Sequence, residues 1–211
     1  MAPRPPPASP PCTRGRPRCA ESHARILAAT SALLERTSWS ELTIEAIATR
    51  ARVSKQTIYK WWGGKPSLVM EASLATMQEQ VMPLDTGDVA HDLVWFLKRS
   101  GRNLRETSAG RTLAVLIAET QQHPDFARAF RERFLATRRE ALRALLRRAA
   151  KRGALRDDVD LELLMDTLFG AFWYRLLSGR APLSDTFVEQ LAGLVLPSIL
   201  SPGALRAQLG A

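Results

Sequence analysis

Cysteine is nearly missing from the 211 residues: Cys12 and Cys19 are the two present, both within the first twenty. Two close thiols make neither a disulfide framework nor a metal-ligand pattern. A reduced, cytoplasmic setting without a metal or other cofactor is therefore expected. Histidine is equally sparse. His23, His91 and His123 lie far apart, none in a metal-binding or triad-like motif, so no catalytic constellation is visible and no enzyme is expected. No apolar run approaches the roughly 20 residues of a membrane span. The most apolar stretches, "LFGAFWYRLL" and "LAGLVLPSIL", are short and read as buried helices. "MAPRPPPASPPC" lacks the apolar segment of a signal peptide. Strand-like alternation and strand-spaced Asn-Gly turns are also missing, which leaves an all-α fold class. One further absence is local: no acid stands between Glu45 and Glu71, where Arg50, Arg52, Lys55, Lys60 and Lys65 all fall.

The net charge of +9 (pI about 10.5) favours an anionic partner. Its distribution is uneven. Residues 1–66 carry eleven Lys/Arg against four Glu, whereas residues 67–211 carry nineteen against seventeen acids. Residues 1–20 are Pro-rich, contain Arg4, Arg14, Arg16 and Arg18, and hold no acid. Such a segment buries too little surface to fold alone and is expected to be a disordered basic tail.

From Glu21 the pattern turns helical, with Ile26, Ala29 and Leu33 at three- and four-residue steps and a stop near Thr37–Ser38. Thr43 then reads as the N-cap of a helix closed by Ala51, with Glu45 complementing the dipole in its first turn. A third helix opens at Ser54, with Val53 and Ile58 at staple spacing. Pro66 suits the first turn of a fourth. These signals give a helix-turn-helix domain over 21–66, a connecting helix over 67–83 and a separate helical domain over 84–211. Within the last, helices are expected at about 88–104, 108–122, 124–152, 159–179 and 184–200, with breaks near His123-Pro124, Gly153 and "SGRAPLS".

Two short helices joined by "ARVS" fit a motif whose second helix enters the DNA major groove. With Val53, Ile58 and Trp62 buried, the third helix leaves Lys55, Gln56, Thr57, Tyr59 and Lys60 outside. Gln pairs bidentately with adenine, Lys reaches guanine, and the Thr methyl touches a thymine methyl. The Tyr hydroxyl and flanking lysines suit phosphate oxygens. A capping box would place Glu at 57, but Thr stands there, which keeps a carboxylate away from phosphates. The alternative is a merely basic, solvated helix face; the turn spacing and the missing acids weigh against it.

The run "RILAATSALLERTSWSELTIEAIATRARVSKQTIYKWWGGKPSLVMEA" resembles the DNA-binding domain of TetR-family transcriptional regulators. The likeness is specific over some fifty residues and beyond them extends only to helix number and length. It implies a dimer that binds a palindromic operator, most often as a repressor released by a small molecule held in the C-terminal domain. It also implies that Thr43, Lys55, Gln56, Thr57, Tyr59 and Lys65 stand where the family meets DNA; Arg52, Ser54 and Lys60 complete the expected set. Three positions depart from the family's pattern. Arg52 replaces the usual Gly of the turn, at a cost of order 1 kcal/mol if the backbone is left-handed there. Ser38 replaces the usual Gly after the first helix, and Trp61 stands where smaller or basic residues are commoner. Upstream, "RGRPR" resembles the minor-groove core of AT-hook peptides, which assigns Arg14, Arg16 and Arg18 to an A·T-rich minor groove. A solubilising tail is the alternative.

In the C-terminal domain Trp95, Phe96, Met165, Phe169, Phe172, Trp173 and Tyr174 are candidates to line an apolar ligand cavity, with Glu119, Gln122 or His123 as polar anchors. Simple core is the alternative for each. The stretch 124–152 carries ten Arg/Lys beside Phe126, Phe130, Phe134, Leu142, Leu145 and Leu146. A solvated outer face over a buried stripe is preferred there to a membrane-surface helix. The competing reading of the whole chain is accordingly a basic helical interaction or membrane-surface protein with no operator. Gly170 sits mid-helix at a cost of about 1 kcal/mol relative to Ala. It shares a stripe with Leu163, Thr167, Tyr174 and Leu177, while Leu191, Leu194 and Val195 offer an apolar face on the final helix. The family resemblance implies that these two helices pair with their copies as a four-helix dimer interface; packing within one subunit is the alternative.

Overall fold

The computed structural model describes residues 16–80 and 84–209, which form eleven α-helices with no β-strand among the described residues. The chain divides into two compact units, with the boundary between Met77 and Gln78.

The first unit holds α1 (Arg16–Leu34), α2 (Ile44–Ala51), α3 (Lys55–Trp62) and most of α4 (Lys65–Gln80). Its core is Ile26, Ala29, Leu42, Ile47, Ile58, Leu68 and Val69. Each fully buried branched side chain contributes roughly 1.5–3 kcal/mol of transfer free energy. Thr30 is buried among them without penalty, because its hydroxyl donates to the Ile26 carbonyl at 2.8 Å. His23 links α1 to α4 through its Nε2, 2.8 Å from Glu71 Oε1, and its ring stacks on Trp62 at 5.1 Å. Trp61, the unusual residue, is half-buried and packs edge-on against Trp62 at 5.5 Å between centroids. The boundary at the N-terminus differs from expectation. α1 begins at Arg16 rather than Glu21, and Pro17 is tolerated in its first turn because no helical amide is lost there.

In the second unit, α5 (Val89–Glu106) packs against α6 (Ala109–Gln122), α8 (Ala136–Lys151) and α10 (Asp185–Ile199). α7 (Pro124–Ala129) leads into a π-helical segment, Phe130–Leu135, and then α8; α9 (Leu161–Ser178) lies against α6 and α8. α11 (Pro202–Leu209) closes the described chain and was not anticipated from the sequence. Nor was the π segment, which interrupts the expected 124–152 helix where Phe130 and Phe134 stack at 5.0 Å. Local caps start the helices: Asp88 accepts from the Ala90 and His91 amides, Asp160 from Glu162 and Leu163, and Ser184 from Phe187. The buried Asp92 carboxylate is satisfied by the Thr86 amide at 3.1 Å and the Thr86 hydroxyl at 2.7 Å. Gly110 is required by close approach, since a Cβ there would stand 2.1 Å from the Leu104 carbonyl oxygen.

Candidate nucleic-acid interface

Short-range hydrogen bonds fix the α2–α3 turn. The Thr43 hydroxyl accepts from the Ala46 amide at 3.1 Å and starts α2. At the other end Arg52 is left-handed (φ 55°, ψ 50°), and the Arg52 and Val53 amides donate to the Thr49 and Ala48 carbonyls at 3.2 and 3.0 Å. That pair of bonds is a Schellman motif, which normally recruits Gly to the left-handed position. Arg52 is the non-glycine with positive φ among the described residues. Its exposed side chain makes no hydrogen bond or ion pair among them, so nothing in the unit offsets the strain. Ser38, the other Gly replacement, avoids the left-handed region. Its amide and hydroxyl instead donate to the Glu41 carboxylate at 2.9 and 2.8 Å, which holds Glu41 below the ordinary carboxylate range.

α3 is capped by Ser54, whose hydroxyl accepts from the Thr57 amide at 3.2 Å and lies 3.0 Å from the Thr57 hydroxyl. The helix buries Ile58 and Trp62 and presents Lys55, Gln56, Tyr59 and Lys60 to solvent, Tyr59 being 52% exposed. The side chains of Gln56, Tyr59 and Lys60 make no hydrogen bond or ion pair among the described residues. Lys55 is engaged: its ammonium lies 2.7 Å from Glu45 Oε1, joining α3 to α2. The hydrogen bond raises the Lys55 pKa and lowers that of Glu45.

Lys65 differs from its expected role. Its ammonium turns inward, donates to the Trp39 and Leu42 carbonyls at 2.8 and 3.0 Å, and sits 4.1 Å from the centre of the Trp39 ring. It holds the segment before α2 against the start of α4. Arg16 and Arg18 fall in the first turn of α1, and Arg14 lies outside the described residues.

The second unit brings two of the seven apolar ligand candidates together, while Phe172 is buried core and Tyr174 is exposed. Phe169 and Trp173 line a cavity of about 270 Å³ between α8 and α9, with Leu135, Arg138, Arg139, Asp166 and Gly170. Met165 and Phe96 are fully buried core instead. Trp95 lies half-buried beneath Arg99, 5.4 Å away, and Glu119 pairs with His123 at 3.5 Å; none of these lines the cavity. Arg138 does not stand out in the sequence, where it is one of ten Arg/Lys within 124–152. The other arginines of α8 are largely consumed by carboxylates: Arg139 and Arg143 hold Glu162, and Arg148 and Arg152 hold Asp85. Cations so engaged are withdrawn from a lipid surface. On α9, Leu163 (63% exposed) and Tyr174 (61%) stand open with Thr167, Gly170 and Leu177, and Leu194 of α10 is 78% exposed. A Cβ on Gly170 would meet nothing within 4 Å. Leu191 and Val195, by contrast, are buried.

A capped helix-turn-helix with an acid-poor, outward-facing second helix, followed by an all-helical second unit, defines a DNA-binding transcriptional regulator. Residues 26–72 match the family described as bacterial regulatory proteins, tetR family, and residues 83–195 match the tetracyclin repressor-like C-terminal domain. The chain belongs to the TetR family, whose members are DNA-binding regulators and not enzymes. It is 35% identical over 178 residues to the uncharacterized HTH-type transcriptional regulator YdeS of Bacillus subtilis (strain 168), covering 84% of this chain and 89% of that protein. It is 29% identical over 187 residues to the DNA-binding transcriptional repressor TetR of Mycobacteroides abscessus, covering 86% and 95%. The crystal structure of the TetR-family regulator SCO0332 superposes with a TM-score of 0.77 at 36% identity, covering 84% of this chain and 97% of that one. No helix among the described residues is long and apolar enough to cross a membrane.

Proposed function

We propose that this regulator is a cytoplasmic homodimeric repressor that binds a palindromic operator and is released by a small molecule. The observation that carries the operator reading is the α3 face, where Gln56, Tyr59 and Lys60 are exposed and make no hydrogen bond or ion pair among the described residues. Gln56 reads an adenine edge, Lys55 a base edge once released from Glu45, and the Thr57 methyl a thymine. Tyr59, Lys60 and Arg52 meet phosphates, and the Thr43 and Ser54 caps aim the helix. Arg14, Arg16 and Arg18 follow the adjacent minor groove where it is A·T-rich. The open stripe on α9, with Leu194 of α10, supports pairing with a second copy, which would set the spacing of two half-sites.

Fluorescence anisotropy with the gene's own upstream DNA tests the reading. Gln56→Ala should lose about 1–3 kcal/mol of discrimination against the wrong base while non-specific binding stays. Tyr59→Phe should weaken all sequences alike. Because α1 begins at Arg16, the tail is tested by replacing Arg14, Arg16 and Arg18 with Ala rather than by removing residues 1–19. Affinity should fall most for sites with A·T-rich flanks. Gly170→Leu should give a folded, helical monomer by light scattering that no longer engages two half-sites. Unchanged operator affinity in the folded Gln56 and Tyr59 variants would reject α3 as the reader, and a Gly170→Leu protein that stays dimeric would reject the α9 interface.

A further inference from the structure

The cavity between α8 and α9 contains a cation without a counter-charge. Arg138 and Arg139 are adjacent in sequence and both line it, yet their situations are opposite. Arg139 is held by Glu162 at 2.7 Å and by Asp166. Arg138 makes no hydrogen bond and no ion pair among the described residues. Its side chain is partly open to solvent, and desolvation by its surroundings lowers its pKa to about 10. The π-helical segment ends at Leu135, another lining residue, so the register change that it introduces falls one turn before Arg138. Such π bulges occur frequently at functional sites.

The remaining walls are apolar or open. Leu135, Phe169 and Trp173 supply carbon surface, and Gly170 contributes no side chain. The one carboxylate present, Asp166, is already taken by Arg139. A free guanidinium matches a carboxylate, which it can grip with two parallel hydrogen bonds. The pocket is partly open, and its volume of about 270 Å³ exceeds the roughly 150 Å³ of an engineered cavity that holds benzene, so a fused ring or a ring with a short chain fits within it.

We infer that this cavity is the effector site and that the effector is a small aryl carboxylate, its carboxylate on Arg138 and its ring against Phe169 and Trp173. This rests on the reading of the second unit as a ligand sensor. Gly170 belongs both to the cavity wall and to the open stripe of α9, so an occupant reaches the edge of the face assigned to the partner subunit.

Isothermal titration of the full chain with 1-naphthoate and with its neutral counterpart 1-naphthamide tests the assignment. Naphthoate should bind at least about tenfold more tightly than naphthamide to the wild type. Arg138→Gln should bind both probes alike, and Arg138→Lys, which keeps the charge without the fork, should retain part of the preference. Circular dichroism establishes that each variant is folded. Equal affinity of the two probes for the wild type overturns the proposal without any variant, and so does a preference that survives in folded Arg138→Gln. Operator binding is scored separately on the unliganded wild type. Failure there overturns the regulator reading, whereas probes that bind equally overturn only the carboxylate site.

Discussion

Arg52→Gly should make the protein more stable while weakening its hold on DNA. The native φ of 55° and ψ of 50° lie in the left-handed region, where a Cβ costs an L-residue roughly 1–2 kcal/mol. Glycine removes that cost but gives the unfolded chain more freedom, worth about 0.4–1 kcal/mol in the opposite direction. The Arg52 side chain is exposed and has no polar partner among the described residues, so no native contact is lost. The balance is a gain of about 0.5–1 kcal/mol, a rise of a few degrees in the melting temperature of a unit this small. Arg52→Ala is the control. It removes the same charge but keeps the Cβ, so its stability should remain near that of the wild type. Urea unfolding followed by circular dichroism separates the three proteins. If Arg52 meets a phosphate, both variants should bind DNA more weakly, with the slope of log affinity against log salt shallower by about 0.9. A glycine variant no more stable than the alanine one would refute the strain argument.

Glu45→Gln should strengthen binding to every DNA sequence and steepen the salt slope by about one, because it frees Lys55 and removes a carboxylate beside the interface; anisotropy titrations at several salt concentrations that coincide with the wild type would refute this. Lys65→Met should lower stability by about 1–2 kcal/mol in urea, because it strips charged donors from the Trp39 and Leu42 carbonyls. An altered salt slope with unchanged stability would instead place Lys65 at the DNA. Arg143 and Arg139 hold the Glu162 carboxyl down to about pKa 2, so its contribution is fully present above the usual value of 4.5 and lost as pH falls towards 2. Denaturant midpoints of Glu162→Gln should therefore vary less over that acid range than those of the wild type; parallel profiles would show that the pairing does not matter to stability.

What the sequence made legible was local. Thr43 and Ser54 cap their helices through contacts three residues ahead, and the left-handed Arg52 was legible through the family resemblance, which puts Gly at that position. The buried set Ile44, Ile47, Ala48, Ala51, Ile58 and Trp62 follows from helical periodicity. The features that were missed depend on distant partners. Lys65 reaches carbonyls 23 and 26 residues back, where helical spacing carries no information. Arg138 and Arg139 are told apart by the Glu162 and Asp166 carboxylates of α9, which Arg139 alone of the two engages. The π segment depends on how three phenylalanines pack, and Phe96 and Met165 are core because of neighbours that no periodicity names.

The side chains on the α3 face divide by obligation. Ser54, Ile58 and Trp62 hold the helix in place, whereas Gln56, Tyr59 and Lys60 are exposed and make no hydrogen bond or ion pair among the described residues. Drift at the second group should therefore cost folding little. A duplicated gene can wander to a new binding sequence through these three positions without first acquiring a compensating stabiliser. A library randomised at 56, 59 and 60 should consequently yield mostly folded proteins, sorted by which DNA they hold.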